Sequence, residues 1–274
     1  MKKIVIFTDL DGTLLDAESY SFDAARPALA LIDRLNIPLV CASSKTRAEI
    51  EALRRQLGNP HPFIAENGGG VFIPPGYFSG VTHEAAPRTV TIGGYEALLL
   101  GLPYAEIRAR FTELRSARHA AVRGFGDMSA GEVAALTGLN EAEATLAQQR
   151  DFEEPFVFDG EPDEAFLHAI ESSNLNWTRG RVFHILGDHD KGRAVRLLLD
   201  RYRTAYGAVV SIGLGDAYND LPLLAAVDHA VLVRRPDGGC DPSIDLPGLI
   251  RTELPGPAGW NAAILKLIAE ETSP

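Results

Sequence analysis

The run "KIVIFT" at residues 3–8 is continuously apolar or nearly so, and it ends in two acids, Asp9 and Asp11, set two positions apart. Unbroken rather than alternating hydrophobicity fits a parallel strand covered on both faces. Carboxylates at the mouth of such a strand repel each other and lose hydration, so the pattern is costly unless a positive charge joins them. A chain with this feature is expected to build a parallel α/β sheet with something cationic at one strand tip.

The same rhythm recurs on both flanks. "IPLVCA" (37–42) reads as a second buried strand, between helical patterns over 23–36 and 45–57, and "PFIA" (62–65) and "VFI" (71–73) read as short strands. Towards the C-terminus the predicted order is helix 190–206, strand 208–214, short helix 220–227, strand 229–233 and a closing helix over 259–271. Strands alternating with helices argue for one Rossmann-like parallel-sheet core of the α/β class. The middle differs, with helical patterns at 94–110, 131–136 and 140–150, then "PFVFD", a helix at 162–173 and "RVFHIL". We read it as an inserted α+β domain over 83–186, with 1–82 and 187–274 forming the core. The acidic run "NEAEATLAQQRDFEE" (140–154) reads as a solvated helix and its end.

Charge bounds the partners. Thirty-seven acidic against 26 basic residues leave a net charge of −11, which disfavours nucleic acid or an anionic membrane surface. A small anionic substrate stays compatible, because a bound metal and a few local cations outweigh the global field. With two cysteines, Cys41 and Cys240, no disulfide framework is suggested. The apolar run after Lys3 is too short for a signal peptide, and no later stretch is long enough to span a bilayer, so a cytoplasmic protein is expected. Nothing in the pattern speaks to oligomeric state.

Polar residues collect at the predicted strand ends: Asp9 and Asp11 after the first, Ser43 and Ser44 after the second, Asn67 after the third, Asp216 after "VVSIGLG". Ligands of open parallel sheets bind outside these carboxyl ends. The aspartates offer hard oxygens suited to Mg²⁺. Ser43, Ser44, Lys45 and the Gly68–Gly70 run offer donors to a phosphate, and Lys191 a second positive charge. A carboxylate beside Mg²⁺ can attack phosphorus to form an aspartyl-phosphate while a second acid handles the protons.

Blander readings exist for each residue. An isolated "DLDG" can be a turn, although a calcium loop fails because Gly12 is fourth rather than sixth. Ser43 and Ser44 can cap the helix at 45. "GLGDAY" (213–218) has Tyr218 where a dinucleotide loop has its third glycine. His184 can be a packed histidine, Glu66 can pair with a lysine or cap a turn, and Arg179 and Arg181 share one face of a strand by their spacing.

Together, "DLDGT" from residue 9, "ASS" (42–44), "DKG" (190–192) and "GDAYND" (215–220) resemble the haloacid-dehalogenase superfamily of phosphatases, in the order that family keeps. The resemblance implies Asp9 as nucleophile and Asp11 as the acid that protonates the leaving oxygen and then activates water. It implies Ser43 and Lys191 on the phosphoryl oxygens, and Mg²⁺ on the Asp9 and Asp216 carboxylates and the Asp11 carbonyl. Asn219 and Asp220 would support the metal and Lys191, and the insert would be the large α/β cap of one branch.

More narrowly, "SSKTRAEIEAL", "PFIAENGGGVFIP", "EEPFVF" and "TRGRVFHILGDHDKG" look like mannosyl-3-phosphoglycerate phosphatases, which release mannosylglycerate, a compatible solute. That likeness implies a phosphorylated sugar-glycerate substrate near Asn67, Gly68, Gly69 and a cap strand carrying Arg179, Arg181 and His184. A capped phosphatase for another phosphosugar, or a non-catalytic phosphate-binding module, are the alternatives.

Overall fold

The computed structural model describes residues 2–79 and 88–272. Its first part runs β1 (Lys3–Thr8), α1 (Arg26–Arg34), β2 (Leu39–Ala42), α2 (Arg47–Leu57), β3 (Phe63–Ala65), β4 (Gly70–Ile73), β5 (Thr89–Ile92) and β6 (Tyr95–Leu99). Then come α3 (Tyr104–Arg118), β7 (Val122–Gly124), α4 (Ala130–Thr137), α5 (Glu141–Ala147), β8 (Glu154–Phe158), α6 (Glu164–Ser172), β9 (Asn176–Arg179) and β10 (Phe183–Leu186). The chain closes with α7 (Lys191–Tyr206), β11 (Val209–Gly215), α8 (Leu221–Leu224), β12 (His229–Arg234), β13 (Ile250–Pro255) and α9 (Gly256–Thr272).

Among the described residues, nine strands form the main sheet in the order β13-β12-β11-β1-β2-β3-β4-β6-β5. Pairing is parallel from β13 to β3 and antiparallel beyond it. The unbroken apolar run of β1 is explained by its place in this sheet. Ile4 and Ile6 pack on one face with Trp260 and Ile264 of α9, while Val5 and Phe7 pack on the other with Leu198 and Tyr202 of α7. Each such side chain, fully buried, contributes about 1.5–3 kcal/mol.

Two expectations for the middle of the chain need correction. The boundary proposed at 82/83 lies outside the described residues, and the stretch 89–99 does not belong to an insert. It forms the β5–β6 hairpin at the edge of the main sheet, where a helix over 94–110 was expected. Gly93 and Gly94 both have positive φ, 59° and 85°, as a two-residue hairpin turn requires. The helix starts only at Tyr104. At the other edge, β13 has no counterpart in the sequence reading.

A separate antiparallel sheet, β7-β8-β10-β9, lies between Val122 and Leu186. Helices α3 and α6 cover one face through Ile107, Phe111, Phe166 and Ile170 packed on Phe156 and Ile185. The arginine strand read from 179–184 is in fact a hairpin: Arg179 ends β9, Arg181 sits in the turn, and His184 lies in β10. Arg179 and Arg181 therefore do not share a strand face. No helix among the described residues is long and apolar enough to cross a membrane.

Candidate active site

Parallel register brings the polar tips together. Thr8 of β1 lies opposite Leu214 of β11 and Cys41 of β2, so Asp9 emerges between Asp216 and Ser43. The Asp9 amide donates to the Leu214 carbonyl at 2.9 Å. Its carbonyl accepts the Thr8 hydroxyl, which in turn accepts the indole N–H of Trp260 at 2.9 Å. The strand end is thus pinned from behind by α9.

Lys191, the first residue of α7, is fully buried and donates to Asp9 Oδ1 and Asp220 Oδ1, each at 2.6 Å. Burial opposes the ammonium charge, but the Asp220 and Asp9 carboxylates outweigh it and raise the lysine pKa. Asp220 Oδ2 accepts the Asp216 and Ala217 amides at 3.0 and 3.1 Å, so Asp220 shapes the loop. Thr13 donates to Asp216 Oδ1 at 2.9 Å. A Cβ on Gly12, where φ is +78°, would fall 2.8 Å from Asp216 Oδ2, so only glycine lets the first loop approach.

Carboxylate oxygens of Asp9, Asp216 and Asp220 come within 4.8 Å of one another. Burial and the Asp220 and Asp216 charges push Asp9 well above the carboxylate range, against Lys191. Burial and Asp220 push Asp216 up to about 7. One buried lysine does not balance this cluster, and hard oxygen donors at this spacing fit a divalent cation of the Mg²⁺ type. Because Asp220 is engaged by Lys191 and two amides, Asp9 and Asp216 are the carboxylates fitted to hold it.

Asp11 lies beside this cluster, with Oδ2 3.1 Å from Lys45 Nζ and a buried Oδ1 that has no hydrogen-bond partner among the described residues. Ser43 is buried behind it, with its hydroxyl accepting the Lys45 amide at 3.2 Å. The cap of α2 is Thr46 in a box with Glu49, which leaves Ser43 and Ser44 free of the capping role. Asp9, Asp11, Ser43, Ser44, Lys45, Arg179, Arg181, His184, Asp216 and Asn219 all line one cavity of about 510 Å³.

Asn67, Gly68 and Gly69 lie outside that lining. Asn67 is buried, donates to Glu153 at 2.8 Å and accepts from Asn219 at 3.0 Å. Gly68 and Gly69 pack so tightly that a Cβ would meet the Asp190 carbonyl at 2.2 Å and Phe152 at 2.5 Å. They serve close backbone approach rather than a phosphate cradle. Arg181 bonds Tyr20, Thr137 and the Ala17 carbonyl, tying the small sheet to the loop after Asp11.

Sequence reasoning missed a buried network in the run read as solvated. Glu153 and Glu154 are fully buried. Burial opposes the Glu153 charge, but His184, Arg150 and Asn67 hold its carboxyl below the usual range. Glu66 accepts the amides of Asp151, Phe152 and Glu153, and burial raises it to about 8 despite Arg150. Arg150 and Arg235 also line the cavity. Acids directly before the apolar "PFVF" repeat the Asp9 signal, and that would have revealed them.

Comparison with known proteins agrees with this geometry. Residues 6–76 match the family model described as haloacid dehalogenase-like hydrolase. A glucosyl-3-phosphoglycerate/mannosyl-3-phosphoglycerate phosphatase of Methanococcoides burtonii is 44% identical over 274 residues, covering 99% of both chains. Its namesake in Persephonella marina is 41% identical over 271 residues, covering 97% of this chain and 98% of the other. A haloalkanoate-superfamily phosphatase structure from Bacteroides thetaiotaomicron, BT1666, superposes with a TM-score of 0.64 at 18% identity, over 99% of this chain and 95% of that one.

Proposed function

Because the chain belongs to the haloacid dehalogenase-like hydrolases and is a phosphoric monoester hydrolase, we propose that it removes the phosphate from mannosyl-3-phosphoglycerate and its glucosyl analogue. The four-stranded unit serves as the cap over the substrate. The observation that carries the reading is Asp9, held by buried Lys191 and clustered with Asp216, where both aspartates line a cavity walled by cations in a chain of net charge −11.

In this reading Asp9 and Asp216, with the Asp11 carbonyl, would hold Mg²⁺, which would supply Lewis-acid neutralisation of phosphoryl charge. Lys191 fixes Asp9 by its Oδ1, so Oδ2 is the oxygen that attacks phosphorus. The bond from phosphorus to the glycerate oxygen breaks, and Asp11 delivers a proton to that leaving oxygen. Asp11, now a carboxylate, takes a proton from water, whose oxygen displaces Asp9 and releases phosphate. Ser43 and Lys191 hold the phosphoryl oxygens, and closure of the cap excludes water from the first step.

Phosphate release measured over mannosyl- and glucosyl-3-phosphoglycerate, sucrose phosphate and hexose phosphates tests the proposal. The two glycosyl-phosphoglycerates are expected to give the highest kcat/KM. Preference for a simple hexose phosphate would overturn the substrate reading while leaving the phosphatase intact.

A further inference from the structure

We propose that Arg150 is the receptor for the substrate's carboxylate, and so sets a preference for phosphoglycerate-type esters over esters lacking that group. The inference rests on the function proposed above and assigns one recognition element within it.

Most of the cations that line the cavity are already engaged. Lys45 is shared between Asp11 at 3.1 Å and Glu49 at 3.3 Å. Arg235 faces Asp241 at 2.6 Å. Arg181 is engaged by Tyr20, Thr137 and Ala17. Arg179 is exposed and lies over the Phe183 ring at 5.5 Å, with no hydrogen bond among the described residues to fix its guanidinium.

Arg150 differs from all of these. Its side chain is 4% exposed, and three bonds fix its plane: Nε to the Ala147 carbonyl at 2.9 Å, and Nη1 to the Ser44 carbonyl at 2.7 Å and Glu153 at 3.1 Å. Its Nη2 has no protein acceptor among the described residues, and the residue lines the cavity shared with Asp9. Glu153 does not cancel its charge alone, because the same carboxylate also faces His184 at 2.9 Å and Asn67 at 2.8 Å. The bond to Ser44 places the guanidinium one residue from Ser43, beside the loop that would hold phosphate. With Nε and Nη1 engaged, the fixed Nη2 still offers two N–H donors at that point, which suit an oxygen of a carboxylate carried a few bonds from the phosphoryl group.

Calorimetric titration of the Mg²⁺-loaded protein with 3-phosphoglycerate and with glycerol 3-phosphate, which lacks the carboxylate, tests this. The wild type is expected to bind 3-phosphoglycerate roughly ten- to a hundredfold more tightly, the range of a charge-assisted contact. Arg150→Gln is expected to bring the two affinities within about threefold of each other, and Arg150→Lys, which keeps the charge but not the fixed guanidinium donors, to fall between. Should the glutamine variant fail to fold, the lysine variant carries the test. Equal weakening of both ligands in the variants, or an unchanged preference, would overturn the assignment and leave Arg150 a bridge between sheets. No carboxylate preference in the wild type would overturn it as well. Failure of the wild type to release phosphate from either glycosyl-phosphoglycerate would instead refute the proposed function.

Discussion

Lys191 Nζ lies 2.6 Å from Asp9 Oδ1, with the lysine wholly enclosed and the aspartate nearly so. The pair joins the start of α7 to the end of β1, so a single ion pair aligns a helix, a strand and the candidate nucleophile. Asp220 closes the triangle at 2.6 Å on the other side. Removing the cation would leave three neighbouring acids without compensation.

Lys191→Met is therefore expected to lower stability by about 3–5 kcal/mol, the cost of stranding buried charge, and to abolish turnover. Urea unfolding of the apoprotein reads the first effect and phosphate release the second. A loss under about 1 kcal/mol, the scale of a solvated pair, would show that the pair is not structural.

Divalent cation binding should report on the same acids. The upward push on Asp9 and Asp216 comes first from burial and then from the neighbouring Asp220 carboxylate, and a bound cation offsets both. Saturating Mg²⁺, at about a hundred times its Kd, is expected to stabilise the wild type by about 2.7 kcal/mol, which is several degrees in Tm. Asp216→Asn is expected to lose most of that gain while melting no lower than wild type in chelator. A wild-type Tm indifferent to Mg²⁺ would contradict the metal assignment.

His61 gives a pH dependence remote from the site. Its Nδ1 lies 2.7 Å from the Tyr77 hydroxyl, and burial, with Arg54 and Lys3 nearby, lowers its pKa to about 4. The unfolded chain takes up this proton near pH 6.5, so between those values the unfolded state binds more protons. The contribution is fully present above about pH 6.5 and is lost as pH falls towards 4. His61→Gln is expected to flatten the fall in urea midpoint between pH 7 and 5. An unchanged slope would remove His61 from the explanation.

Arg181 and Tyr20 fasten the small sheet over the loop that carries Asp11. Arg181→Ala is expected to lower kcat/KM about tenfold for all phosphate esters alike, roughly the worth of one charged hydrogen bond. Small-angle scattering should show a larger radius of gyration in the variant. A loss confined to carboxylate-bearing substrates would instead make Arg181 a substrate contact.

The contrast between Arg150 and Asp9 shows what was legible in the sequence. Asp9, Asp216 and Lys191 announce themselves through local patterns: apolar runs that stop at a polar residue and a helix start after a polar turn. Parallel pairing then makes neighbours of residues 9 and 216 without further instruction. Arg150 and Glu153 are buried by partners far away, Ser44 and Asn67, so their own segment reads as a polar helix end. The β5–β6 hairpin was hidden by the apolar spacing of Tyr95, Leu98 and Leu99, which also suits a helix, although Gly93-Gly94 marked the turn. Arg179 and Arg181 looked like one strand face because Gly180 between them carries no sign that a hairpin reverses there.

The most direct measurement is rapid acid quench of the enzyme mixed with the proposed substrate mannosyl-3-phosphoglycerate, followed by peptide mass spectrometry. Expected is a peptide containing Asp9 heavier by one phosphoryl group, absent from Asp9→Asn, which should also release no phosphate. Turnover retained in Asp9→Asn, or a phosphoryl group found on another residue, would contradict the assignment of Asp9 as the nucleophile.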